Sequence, residues 1–196
     1  MLAVALGGAV SYIATRPAPP PEARLDIVTP PSTAPASFAL SPDGQQIAYI
    51  AANRNDSQLW VRPLASASAQ PLAGTEGALY PFWSPDSRSL GFFADGKLKR
   101  VDLGGSAPQT LAEVPISRGG TWNSEGTILF NPNPGSGLFR VSATGGQSLP
   151  VTRLGAGQGS HRHPRFLPDG KRFLFYVRSS QPGIYLGELG KQGTQE

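Results

Sequence analysis

The sequence predicts an all-β protein: about four copies of one antiparallel unit, each of four strands. Three observations carry this. The stretch 79–101, LYPFWSPDSRSLGFFADGKLKRV, reads as an apolar approach, a tight turn, an apolar run, a polar tip and another strand. Versions of it recur around Ser41-Pro42-Asp43-Gly44, Asn123-Ser124-Glu125-Gly126 and Leu167-Pro168-Asp169-Gly170, so that Pro42, Pro85, Ser124 and Pro168 stand 43, 39 and 44 residues apart. The 24 Gly and 20 Pro of the 196 residues are interleaved with alternating apolar runs, and no stretch after residue 16 carries a sustained helical period. A period of about 40 to 50 residues built from four short strands is that of a β-propeller blade.

In chain order, Met1 to Thr15 is apolar and uncharged. It is shorter than the roughly 20 residues of a full span and lacks the basic start of a signal peptide. Residues 1–16 are therefore expected to be a short apolar helix, a truncated transmembrane or signal-like segment. Residues 17–34 form a Pro-rich spacer with a lead-in strand at Leu25 to Val28. Propeller repeats then fill 35–196, dividing near 35–77, 78–117, 118–160 and 161–196. In the first repeat Ser37 to Leu40, Gln46 to Ala51, Leu59 to Arg62 and Gln70 to Leu72 are the strands. The second has its third strand at Lys97 to Asp102 and its outer strand at Gln109 to Leu111. The third has Gly120 to Trp122, Thr127 to Phe130, Leu138 to Val141 and Leu149 to Thr152. The fourth has Pro164 to Phe166, Arg172 to Arg178 and Gly183 to Leu189, with no clear fourth strand. The short start and unfinished end favour an open or partial propeller, whose free sheet edges invite self-association.

The turn explains itself chemically. Pro presets φ for the first central position of a type I turn, Asp tolerates the second, and Gly takes the left-handed position that follows. Ser87 replaces that Gly in the second copy and Ser124 replaces the Pro in the third. Asp43 and Asp86 are read as turn residues, because a radial array keeps equivalent positions too far apart for a carboxylate pair. The aromatics Phe38, Trp83, Trp122 and Phe166 before the turns, and Trp60, Phe139 and Tyr185 on third strands, are expected to pack the core.

Composition removes several functions. The net charge of +4 is spread without a run of like charges, which argues against a nucleic-acid surface. The chain has no cysteine, hence no thiol nucleophile and no cysteine metal site. No serine has a G-x-S-x-G setting, and Gly155-Ala156-Gly157-Gln158-Gly159 leads into a strand, where no helix N-terminus can hold phosphate. His161 and His163 alternate and so share a face, but a zinc site wants further ligands; a solvated loop is the favoured reading. No cofactor and no catalytic residue are assigned.

The Ser-Pro-Asp-Gly turns, recurring over about Pro35 to Leu189, resemble the TolB-type β-propeller repeat. More narrowly, the run Tyr80 to Arg88 with Phe92 to Arg100 is similar to the propeller that follows the membrane helix in bacterial serine/threonine kinases of eukaryotic type. The resemblance implies a kinase domain on the cytoplasmic side and a propeller outside. Kinase motifs are absent from this chain, since it contains no H-R-D or D-F-G. The expectation is a non-catalytic, extracytoplasmic propeller, the sensor or protein-interaction part of a membrane-anchored kinase-like protein. A free-standing periplasmic or secreted binding propeller and the propeller part of a prolyl-oligopeptidase-like peptidase are the alternatives. The partner is expected to be a protein, a peptide or a small extracytoplasmic ligand, met by loops on one propeller face. Those loops carry Asn53, Arg54, Asn55, Asp56, Glu76, Asp95, Arg118, His161 and Arg162.

Overall fold

The computed structural model describes residues 26–32, 34–53 and 56–191. The expected N-terminal helix and most of the spacer, together with Arg54 and Asn55, lie outside the described residues. Among the described residues no helix is long and apolar enough to cross a membrane.

Among the described residues fifteen antiparallel strands form four sheets. The first holds β1 (Phe38–Leu40), β2 (Gln46–Asn53), β3 (Asp56–Pro63) and β4 (Gln70–Pro71). The second holds β5 (Leu79–Trp83), β6 (Ser89–Ala94), β7 (Lys97–Asp102) and β8 (Gln109–Glu113). The third holds β9 (Gly120–Trp122), β10 (Thr127–Phe130), β11 (Phe139–Ser142) and β12 (Leu149–Pro150). The fourth has three strands, β13 (Gln158–Phe166), β14 (Arg172–Ser179) and β15 (Gly183–Glu188). Each sheet is ordered as the chain runs, inner strand to outer. The inner strands β1, β5, β9 and β13 pack on one another in sequence. These are propeller blades.

The turn chemistry is as expected. Gly44, Ser87, Gly126 and Gly170 each donate their N–H to the carbonyl three residues back, and all four have positive φ. Asp43 accepts from the Ser41 hydroxyl and the Gln45 N–H, and Asp86 accepts in the same way from Ser84 and Arg88. These bonds, led by the serine hydroxyl in each case, hold both carboxyls below their ordinary values. Both are turn braces.

Two elements depart from expectation. The described part of the lead-in strand, Asp26 to Val28, forms no strand. It pairs with no sheet, and Val28 is 86% exposed. The fourth inner strand starts six residues earlier than expected, at Gln158, because a bulge between Arg162 and Arg165 absorbs the irregularity that Pro164 imposes.

Three core clusters lie between the four blades. Ala39, Ala48, Ile50 and Leu59 of the first blade meet Trp83, Leu90 and Phe92 of the second. Phe82, Phe93 and Leu98 meet Ile128, Phe130 and Val141. Leu129 and Leu138 meet Phe173, Phe175 and Val177. Each blade thus turns alternate residues to opposite neighbours. Two faces remain without a neighbouring blade among the described residues. On the first blade Phe38 and Leu40 are over half exposed, and on the fourth Leu174 is 39% and Ile184 64% exposed.

Register corrects one equivalence. Leu40 pairs with Ile47 as Trp83 does with Leu90, Trp122 with Ile128 and Phe166 with Phe173. The first-blade counterpart of the aromatic is therefore Leu40, and Phe38 stands two residues earlier. Phe139 and Tyr185 pack on the core clusters as expected, whereas Trp60 belongs to none of the three and pairs with Tyr49, which points away from the second blade.

Candidate functional site: the mouth between the inner strands

The end of the fold opposite the Ser-Pro-Asp-Gly turns is where each inner strand begins and each second strand hands over to the third. Hydrogen bonds tie its loops into one rim: Gly77 N–H to Ser57 O at 2.8 Å, and Val114 N–H to Gly96 O at 2.6 Å. Asp56, Glu76 and Asp95 are exposed here. Glu76 accepts from Gln58 Nε2 at 3.1 Å. Asp95 sits with Gly96 in a turn with both φ positive and pairs with Lys99, whose hydrogen bond and charge hold its carboxyl below the ordinary range. The acidic side of the rim, on the first two blades, is thus partly answered by its own chain.

Blades three and four are different. Arg118, Arg162, Arg165 and Arg178 gather there, and none of them forms an ion pair among the described residues. Arg118 Nη1 donates to Ser117 O at 2.7 Å, and Arg162 Nε to the Ser160 hydroxyl at 2.6 Å. Both guanidinium groups keep further donors free of carboxylates.

Under these arginines lies an arrangement that residue-by-residue reading did not reveal. Three residues before the last residue of each inner strand, Leu40, Trp83, Trp122 and Phe166, stand Ser37, Tyr80, Gly119 and His163. Tyr80 has φ 48° and His163 φ 51°, each beside a break in strand register and each followed by proline. Left-handed backbone at bulky residues is uncommon and gathers at functional positions, and bulges re-aim side chains. The two rings meet edge to face with centroids 5.9 Å apart. Gly119, just before the strand between them, makes room: a Cβ there would stand 3.1 Å from His163 Nδ1. Ser37 Oγ accepts the Tyr80 N–H, and Arg118 O the His163 N–H at 2.8 Å. A cavity of about 200 Å³ opens at this point, lined by Ser37, Phe38, Tyr80, Gly119, His163 and Arg165 among others. The signal that would have found it is the X-Pro pair inside the inner strands of copies two and four, where proline forces a bulge.

The expected site residues divide accordingly. Asp56, Glu76, Asp95, Arg118 and Arg162 lie on this end of the fold. Asn53 closes β2 opposite Asp56. His161 is corrected: it is fully buried, with Nδ1 2.7 Å from Thr152 Oγ1, Nε2 2.9 Å from Gln158 Oε1 and its ring against Phe175. The bulge turns His163 out to solvent while His161 stays in the blade three–four core, so the two do not share a face. Among the described residues no three His, Cys, Asp or Glu side chains form a metal-ligand cluster. Burial pushes the His161 imidazole below its ordinary pKa; desolvation, with the charges of Arg162, Arg118 and Arg165, does the same to His163.

No family model matches the sequence, and no curated protein matches it. Solved structures do. TolB from Acinetobacter baumannii superposes with a TM-score of 0.69 at 17% identity, over 81% of this chain and 42% of that one. A protein assigned as TolB from Agrobacterium tumefaciens gives 0.70 at 16% identity, over 81% and 63%. The β-propeller domain of the Trilobed protease from Pyrococcus furiosus, described as having an open velcro topology, gives 0.55 at 16%, over 78% and 54%. At such identities the likeness is one of fold. The chain is a β-propeller structure that spans about half the length of these proteins.

Proposed function

We propose that the chain is a non-catalytic binding propeller that meets its ligand or protein partner at the rim opposite the Ser-Pro-Asp-Gly turns. The observation that carries this reading is the set of rim arginines left without counter-charges beside a cavity, in a chain that carries neither kinase nor hydrolase motifs. The turn-end carboxylates, by contrast, are consumed in bracing their own loops. The apolar segment 1–16, the Pro-rich spacer and the kinase-like wording of blade two support a propeller held outside the cytoplasm by a membrane-anchored kinase-like protein. The two uncovered blade faces support weak self-association.

Site-specific photo-crosslinkers at Asp95 and Arg118 in intact cells are expected to give a discrete adduct, while crosslinkers at Asp43 and Asp169 give none. Equal labelling from both ends would refute the reading. The placement is tested separately: alkaline phosphatase fused after Lys191 should be active, and an inactive fusion at normal abundance would refute it.

A further inference from the structure

We infer that the mouth between Tyr80, Gly119 and His163 binds a small oxyanion carried on an apolar body, an organic carboxylate or phosphate. The inference rests on the rim reading above and gives that rim a ligand chemistry.

The anionic head follows from the arginines. Arg165 lines the cavity and Arg118 O accepts the His163 N–H at 2.8 Å, so Arg118, Arg162 and Arg165 stand around His163, where their charges are felt, and none of them pairs with a carboxylate among the described residues. Guanidinium groups crowded together without a counter-ion repel one another, and an oxyanion relieves this while accepting forked N–H donors. Their arrangement is a cost to the free protein that a bound anion removes.

The apolar body follows from what lies beneath. The floor is the edge-to-face pair of Tyr80 and His163, with exposed Phe38 at its side. Ring faces and edges take flat or aliphatic groups, and a cavity of about 200 Å³ holds a body the size of one aromatic ring, well under an ordinary drug-sized pocket. Two bulky residues in left-handed backbone, and a glycine at φ 86° where an added Cβ would crowd His163 Nδ1 at 3.1 Å, shape this floor. An inert packing site would be filled more cheaply by a leucine in an unstrained strand.

The test is calorimetric titration of the full chain at low salt with phenyl phosphate, phenylacetate and inorganic phosphate. Saturable binding of phenyl phosphate or phenylacetate is expected, with inorganic phosphate at least about tenfold weaker because it lacks the body. Arg162→Gln and Arg165→Gln should each weaken binding by about tenfold, and Arg165→Gln should do so without lowering the melting temperature. Gly119→Ala should abolish it; Arg165→Gln, which removes no internal hydrogen bond in the described residues, keeps the test decisive if Gly119→Ala unfolds. Equal affinity for inorganic phosphate overturns the apolar half of the inference. No saturable binding of any probe, or binding that ignores the arginine substitutions, overturns it entirely; rim crosslinks surviving that result would leave the binding propeller standing with a different ligand.

Discussion

At the scale of single residues, glycines and histidines carry the sharpest consequences. The Phe82 ring lies across Gly91 and Gly120, whose added Cβ atoms would stand 2.2 and 2.6 Å from it. Gly91→Ala forces that ring out of the blade two–three core, and overpacking of this kind costs about 1–3 kcal/mol; the urea midpoint should fall with an unchanged slope. Retained stability would mean the ring has another place to go. His161 sets a pH dependence. Its folded pKa lies below the ordinary value because burial disfavours the imidazolium, so the unfolded chain takes up its proton first. Stability from this residue is complete above about pH 6.5 and falls as pH drops toward the depressed folded value. His163 acts in the same direction. The denaturation midpoint should therefore decline between about pH 7.5 and 5.5, and His161→Gln should flatten the part due to His161. A slope untouched by that substitution would show that His161 is protonated at equal cost in both states.

At the scale of elements, what the sequence reveals depends on how local the cause is. The Ser-Pro-Asp-Gly turns are legible because every device in them acts within four residues, and each appears in the hydrogen bonds at Ser41, Ser84, Asn123 and Leu167. Even Ser87, in the glycine position, keeps the left-handed turn and uses its hydroxyl to accept the Asp43 N–H from the neighbouring blade. Asn123 similarly reaches Gly170 O at 2.7 Å. Strand order followed from the repeat. The bulges did not, because alternation gives His161 and His163 a common face and only the register shift at Pro164 separates them. The lead-in strand failed for the complementary reason: Asp26 to Val28 has an extended pattern but no partner edge, and isolated strands do not hold. That the loop residues Asp56, Glu76, Asp95, Arg118 and Arg162 share one end of the fold was legible from topology alone. Tyr80, Gly119 and His163 were invisible until three strands were brought side by side.

At the scale of the whole molecule, the four blades of the described residues share three cores. The uncovered faces bear Phe38 and Leu40 at one end and Leu174 and Ile184 at the other. Burying an aliphatic side chain fully gains about 1.5–3 kcal/mol, while association costs about 4–15 kcal/mol before any gain. Four partly exposed side chains therefore support weak contact only. Sedimentation should show concentration-dependent association that Leu40→Lys with Ile184→Lys abolishes; a monomer at every concentration would refute association through these faces. The same arrangement has a mechanical meaning. Tension between the first and fourth blades is carried mainly by the three cores one after another, as through links of a chain, with the Tyr80–His163 ring contact as a lesser tie between the second and fourth. Strength is then that of the weakest link, and a pulling experiment should record blades leaving one at a time, beginning at the junction of Leu129 and Leu138 with Phe173, whose core cluster has the fewest buried members.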